Sequence, residues 1–273
     1  MGLLPDTEPA DPFYRVGATD LVGEHGDVIR VRTLSGPAAL ESAAVCELVI
    51  YQSTRVSDGT PIGVSGIIAL PRGNPPTGGW PVVSWSHGTV GVADRGAPSL
   101  DSDELADSGD PTDPPMTIHR KINAAPHGLL NEFLNRGWAV VMTDYEGLGT
   151  RGPHPYLFGT SEARGVLDIV RAARALHNRD SATRQETISR RVVIVGHSQG
   201  GQAALFAAHL LRKSAYSFCL FYQPRPTWRS YRSPSSVPLP VTLASILSWN
   251  KKSSHHSDSS SSRTPLMCKP GSS

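Results

Sequence analysis

The chain has 273 residues, a hydrophobic share of 38% and a formal net charge of +2, which suits a soluble globular protein of one large domain or two small ones. No stretch reaches the roughly 18 to 20 apolar residues of a membrane span, and the opening MGLLPDTEPADPFYRVGATD has proline and acids where an export signal needs a basic start and an apolar run. The chain as written is therefore expected in the cytoplasm, with no transmembrane segment.

The predicted elements follow in chain order. VCELVIY (45–51) and IGVSGIIAL (62–70) are β-rich runs separated by the turn Ser57-Asp58-Gly59. Cys46, in the first of them, is read as a buried strand residue, since a free thiol behaves as a small hydrophobe. PVVSWSHG (81–88) is a short apolar strand running into a glycine, and the Asp- and Pro-rich stretch at 91–117 is too polar for core. HGLLNEFLNRG (127–137) reads as a helix stopped by glycine, and WAVVMTD (138–144) as a buried strand. A helix over 161–178 is marked by Val166, Ile169, Val170, Ala173 and Leu176 at helical spacing, with Thr160 or Ser161 available as cap. RVVIVG (191–196) is a strand and QAALFAAHLL (202–211) an apolar helix. Strands alternating with helices predict an α/β fold, with a mostly parallel central sheet covered on both faces.

Near residue 213 the character changes. Residues 1–213 carry a net charge of −4 and residues 214–273 a net of +6; the latter hold 17 serines and 7 prolines but one glycine and one acid. Residues 214–273 are therefore expected to be a Ser/Pro-rich basic tail, either disordered or the product of a lost reading frame. A basic tail can point to nucleic acid, but this one has no periodic basic face and the body is acidic, so no nucleic-acid partner is expected. Cys46, Cys219 and Cys268 show no C-x-x-C spacing, which implies neither a disulfide framework nor a zinc site. No metal or other cofactor is expected.

The chemistry centres on Gly196-His197-Ser198-Gln199-Gly200. G-x-S-x-G by itself arises often by chance; here an apolar strand precedes it and an apolar helix follows. That context fits a sharp strand-to-helix turn that exposes the serine hydroxyl above the sheet, with Gly196 and Gly200 small enough to let strand and helix meet. The helix start supplies N–H groups and a positive dipole end, so the N–H of Gln199 is a candidate oxyanion donor. The second donor should come from the loop after an earlier strand. Trp85-Ser86-His87-Gly88-Thr89 fits, with Thr89 N–H as donor and Gly88 as the residue that lets the backbone turn in. His87, Asp144 and His154 precede Ser198, whereas the triad order in such a fold is serine, acid, histidine; they are read as a structural residue, a hydrogen-bonding loop residue and a turn or pocket-wall residue.

Three segments, PVVSWSHGTVGVADRGAPS (81–99), GWAVVMTDYEGLGTRGPHPYLFGTSEARGVLDIVRAAR (137–174) and RVVIVGHSQGGQAALFAA (191–208), give the stretch from about 45 to 211 a resemblance to the secretory lipase family of α/β-hydrolases. DYEGLG followed by PHPY and a long helix is its most distinctive part. The resemblance implies the α/β-hydrolase fold and a serine esterase or lipase acting on acylglycerols or other lipid-like carboxylic esters. Members of the family are commonly secreted.

Residues 1–213 then form a partial hydrolase domain. A serine needs a histidine to take its proton and a carboxylate to orient that histidine. Downstream of Ser198 stand His209, His255, His256 and Asp258. His209 lies about 16 Å along the helix axis, and the other three are in the wrong order within the serine-rich tail, so no triad acid or histidine is identifiable. The C-terminal part of the sheet is expected to be missing, which would leave RVVIV as an exposed edge. Three readings stay open: an active ester hydrolase, a truncated or frameshifted fragment without turnover, and a non-catalytic binding protein on the same fold.

Overall fold

The computed structural model describes residues 9–101, 123–178 and 186–213, together with the strand segments at 218–222, 229–231 and 241–246. Among the described residues, nine strands form one sheet: β1 (Val28–Thr33), β2 (Val45–Thr54), β3 (Pro61–Leu70), β4 (Trp80–Ser86), β5 (Ala139–Thr143), β6 (Ile188–His197), β7 (Phe218–Tyr222), β8 (Arg229–Tyr231) and β9 (Val241–Ile246). Their spatial order is β1-β2-β3-β5-β4-β6-β9-β7-β8. The described α-helices are α1 (His127–Asn135), α2 (Gly159–His177) and α3 (Gln199–Lys213).

The expected parallel centre is present: β5, β4, β6, β9 and β7 pair in parallel. The first three strands join it as an antiparallel meander through β3 and β5, so the sheet is mixed. Hairpin β2–β3 closes at the expected turn, where Gly59 takes φ 77 and Asp58 accepts from Thr60 N at 2.9 Å.

Strand alternation sorts the core into two layers. Val82, Ala139, Val141, Val192 and Ile194 face α2 and α3. Val83, Trp85, Val140, Met142 and Val195 face α1 through Leu130 and Leu134. Helices therefore cover both faces, because buried parallel strands need apolar cover on each side. The stripe predicted for α2 is buried at Val166, Ile169, Val170 and Ala173. Its start differs from expectation: the N-cap is Phe158, without a side-chain cap, and Ser161 lies inside the first turn, where its hydroxyl bonds Glu146 instead. Cys46 is half-buried rather than buried, and free; it sits near the start of β2, where the strand emerges from the core.

One expectation is corrected. The sheet continues past β6, and β6 is not an open edge: β9 pairs along it in parallel from Val192↔Val241 to His197↔Ile246. The physical reason is the row of backbone N–H and C=O groups on β6, which needs a partner wherever water is excluded. Val241–Ile246, an extended run, supplies that ladder. Apart from β7, β8 and β9, residues 214–273, including His255, His256 and Asp258, lie outside the described residues.

Candidate active site

β4 and β6 run in parallel register and finish together, with Ser86 opposite Gly196. Each then leaves the sheet at its C-terminal edge, β4 into His87-Gly88-Thr89 and β6 into Ser198. Ser198 is exposed and takes φ 54, a left-handed conformation that costs a serine about 1 kcal/mol or more. The surrounding contacts impose it. A Cβ on Gly196 would stand 2.0 Å from Gly200 O, and one on Gly200 would stand 1.9 Å from Ser86 O. Any side chain at either position would push strand and helix apart, so both glycines are steric requirements of the turn. The Ser198 carbonyl starts α3, accepting from Gly201 N at 2.9 Å, which leaves the N–H of Gln199 in the unpaired first turn.

The loop after β4 approaches this turn closely. A Cβ on Gly88 would lie 2.9 Å from His197 Nδ1, 3.2 Å from His197 O and 3.5 Å from Ser198 Cβ, so the backbone there packs closely against the turn and a side chain would have to displace the His197 ring. Thr89 is exposed, and its hydroxyl is paired with Tyr156 Oη at 2.9 Å. Beneath the loop, on the α1 side, lies a cavity of about 110 Å³ lined by Trp85, Val90, Pro98, Leu129 and Met142, with Gly88 and His197 at its wall.

His87, Asp144 and His154 all lie at this edge, and each is engaged in scaffolding. His87 is buried; its Nδ1 bonds the Gly88 carbonyl at 2.7 Å, and burial pushes its pKa down to about 4. The Asp144 carboxylate accepts from Ser65 Oγ at 2.6 Å, from Ser99 N at 3.1 Å and from Ser99 Oγ. Those bonds tie β3, β5 and the 98–100 turn together, while burial pushes the Asp144 pKa up to about 6. His154 Nδ1 bonds Glu146 O at 2.8 Å, and burial holds its pKa below the usual imidazole value. His209 is exposed on α3. Among the described residues, no histidine is hydrogen-bonded to the Ser198 hydroxyl and no cluster of His, Cys, Asp or Glu could hold a metal.

Sequence reasoning missed three participants. Tyr145, at φ 71, is fully buried and its hydroxyl donates to His87 O at 3.1 Å. Glu162 is fully buried and accepts from Gln199 Nε2 at 2.8 Å. The Gln199 side chain turns inward, 3% exposed, rather than toward solvent. Glu162 was findable: it precedes Val166 by four residues and so sits on the apolar stripe of α2.

Residues 121–218 match the family described as Secretory lipase. Among solved structures, lipase A of Candida antarctica in its closed state is similar, at 22% identity and TM-score 0.59, over 76% of this chain and 43% of that one. The rice cell wall degrading esterase LipA from Xanthomonas oryzae is similar at 25% identity and TM-score 0.50, over 70% of this chain and 47% of that one. The chain thus spans less than half the length of either. No curated protein matches the sequence. Among the described residues no helix is long and apolar enough to cross a membrane. The matched segment contains the PHPY turn, α2 and the Ser198 elbow, and it is this part of the chain that is similar to the Secretory lipase family.

Proposed function

We propose that the chain carries the nucleophile and oxyanion half of a serine carboxylic ester hydrolase of the lipase or esterase type. The observation that carries this is the exposed Ser198 at φ 54, with the Gly88 backbone passing close beside it. In this reading Ser198 Oγ attacks the ester carbonyl carbon as a base takes its proton. The new C–O bond converts the carbonyl oxygen to an oxyanion, held by the N–H groups of Gln199 and Thr89. The alcohol then leaves with the proton, and water hydrolyses the acyl-serine to the carboxylic acid. The apolar cavity walled by Trp85, Leu129 and Met142 suits the acyl part of the substrate, since an alkyl chain gains free energy by leaving water. Ester substrates of lipid-like character are the partners this implies.

A second reading has its own support. The chain covers 43% of the length of Candida antarctica lipase A, and no histidine contacts Ser198 among the described residues. A chain with an elbow but no base would bind esters without turning them over. The reaction of a fluorophosphonate probe, followed by intact-mass measurement, separates the two. Rapid addition of one phosphonyl group at Ser198 is expected of the hydrolase; absence of labelling under conditions that label a control serine esterase would overturn it. The family's secretory description supports export as the destination of the protein, in place of the cytoplasmic location expected from the chain's opening residues.

A further inference from the structure

We propose that Glu162, His154 and Tyr145 are positioning residues for the oxyanion hole, fixing Gln199 on one side and the His87-Gly88 loop on the other. The inference rests on the hydrolase reading above and extends it from the two donors to the groups that hold them.

The chain of contacts begins at the residue after the nucleophile. Gln199 Nε2 donates to Glu162 Oε1 at 2.8 Å and lies 3.0 Å from His154 Nε2. An amide nitrogen has two protons, so both are spent. His154 Nε2 then accepts, which puts the ring proton on Nδ1, where it donates to Glu146 O at 2.8 Å. Glu162 Oε1 also accepts from Leu157 N at 3.2 Å, while Gln202 Nε2 donates to Leu157 O at 3.1 Å. Leu157 takes φ 59, so the turn before α2 is pinned to α3 in a conformation it would otherwise avoid.

On the other side, the Tyr145 ring stacks on His154 with centroids 6.1 Å apart and lies 4.3 Å from the His87 ring. Its hydroxyl donates to His87 O at 3.1 Å, and His87 Nδ1 bonds Gly88 O at 2.7 Å. One contiguous set of groups therefore runs from the elbow helix to the loop carrying the second donor.

Stability alone does not account for this set. A buried carboxylate costs more than a leucine of similar volume unless its hydrogen bonds are complete. Among the described residues, Glu162 Oε2 and Gln199 Oε1 are buried without a partner. An oxyanion hole, by contrast, depends on two N–H groups held to within a few tenths of an ångström, and an error of about 1 Å costs on the order of 100-fold in rate.

The test compares Glu162→Ala, Glu162→Gln, Gln199→Ala and the Glu162→Ala/Gln199→Ala double variant on a short-chain nitrophenyl ester. The expected result is a kcat lowered about 10- to 100-fold in both alanine variants, with KM within about twofold. Glu162→Gln, which keeps the acceptor at Oε1, should recover most of the rate. The double variant should be no slower than the worse single one, because the two act through one bond. Unchanged kcat in both alanine variants, or losses that multiply, would overturn the proposal. A parent chain that neither hydrolyses the ester nor takes a fluorophosphonate at Ser198 instead overturns the hydrolase reading. The ¹⁵N signals of His154 then decide the network. A proton on Nδ1, with an Nε2 signal that moves on Gln199→Ala, sustains it, whereas a proton on Nε2, or no movement, removes it.

Discussion

The ends of β5 and β6 make the same backbone move and put it to opposite uses. Tyr145 and Ser198 are both non-glycine residues at positive φ, 71 and 54, each within two residues of its strand's end. Ser198 points its side chain out of the sheet edge and is exposed. Tyr145 is fully buried, and its hydroxyl bonds the chain just before Gly88. Strain marks both turns, and the burial of the strained side chain separates them: in the proposed reading the exposed Ser198 reacts and the buried Tyr145 holds the reactive geometry.

The comparison can be broken most directly at the reacting end. Ser198→Ala should lower ester hydrolysis by on the order of 10³-fold or more while thermal unfolding stays within a few degrees of the parent; residual turnover near the parent level would mean another residue is the nucleophile. At the holding end the effect should fall on stability as well as on rate. Tyr145→Ala removes a fully buried ring and should cost about 3–5 kcal/mol in denaturant unfolding; a loss below about 1 kcal/mol would show that the loop is held by other groups.

The residue before Tyr145 supplies a pH test. Burial raises the Asp144 pKa from 3.8 to about 6 in the folded chain. Between those values the folded state takes up a proton that the unfolded state does not, so the contribution is complete below about pH 4 and is lost as pH rises through about 6. Asp144→Asn should remove this fall, so that the stability of the variant relative to the parent rises by on the order of 1–3 kcal/mol between about pH 4 and 6. His87, whose pKa is held down to about 4, acts in the opposite sense: its contribution is present above its usual value of 6.5 and lost as pH falls. It is common to both proteins and cancels to first order in the difference. A difference between variant and parent that stays constant from about pH 4 to 6 would refute the assignment.

The smallest effect sharpens the comparison at Ser198 itself. Ser198→Gly removes the left-handed penalty of a Cβ and should leave stability equal to the parent or raised by up to about 1 kcal/mol. A clear destabilisation would show that the serine side chain supports the fold.

The sequence by itself determined the elbow, because its requirements are local: a strand, a serine, and two glycines whose absent side chains let Ser86 and Gly200 approach. It determined the helix faces too, since Val166, Ile169 and Ala173 repeat at the helical period. Gly88 was readable as the residue where the loop after β4 turns in. Only the tertiary structure decided what Glu162, Tyr145 and the side chain of Gln199 do. Their partners lie 37 residues apart for Glu162 and Gln199 and 58 apart for Tyr145 and His87, and no periodicity encodes a hydrogen bond across that distance. The same holds for β9, whose pairing along β6 was hidden in a serine- and proline-rich stretch. A strand's partner is fixed by which edge lacks one in the assembled sheet, and local composition carries no record of it.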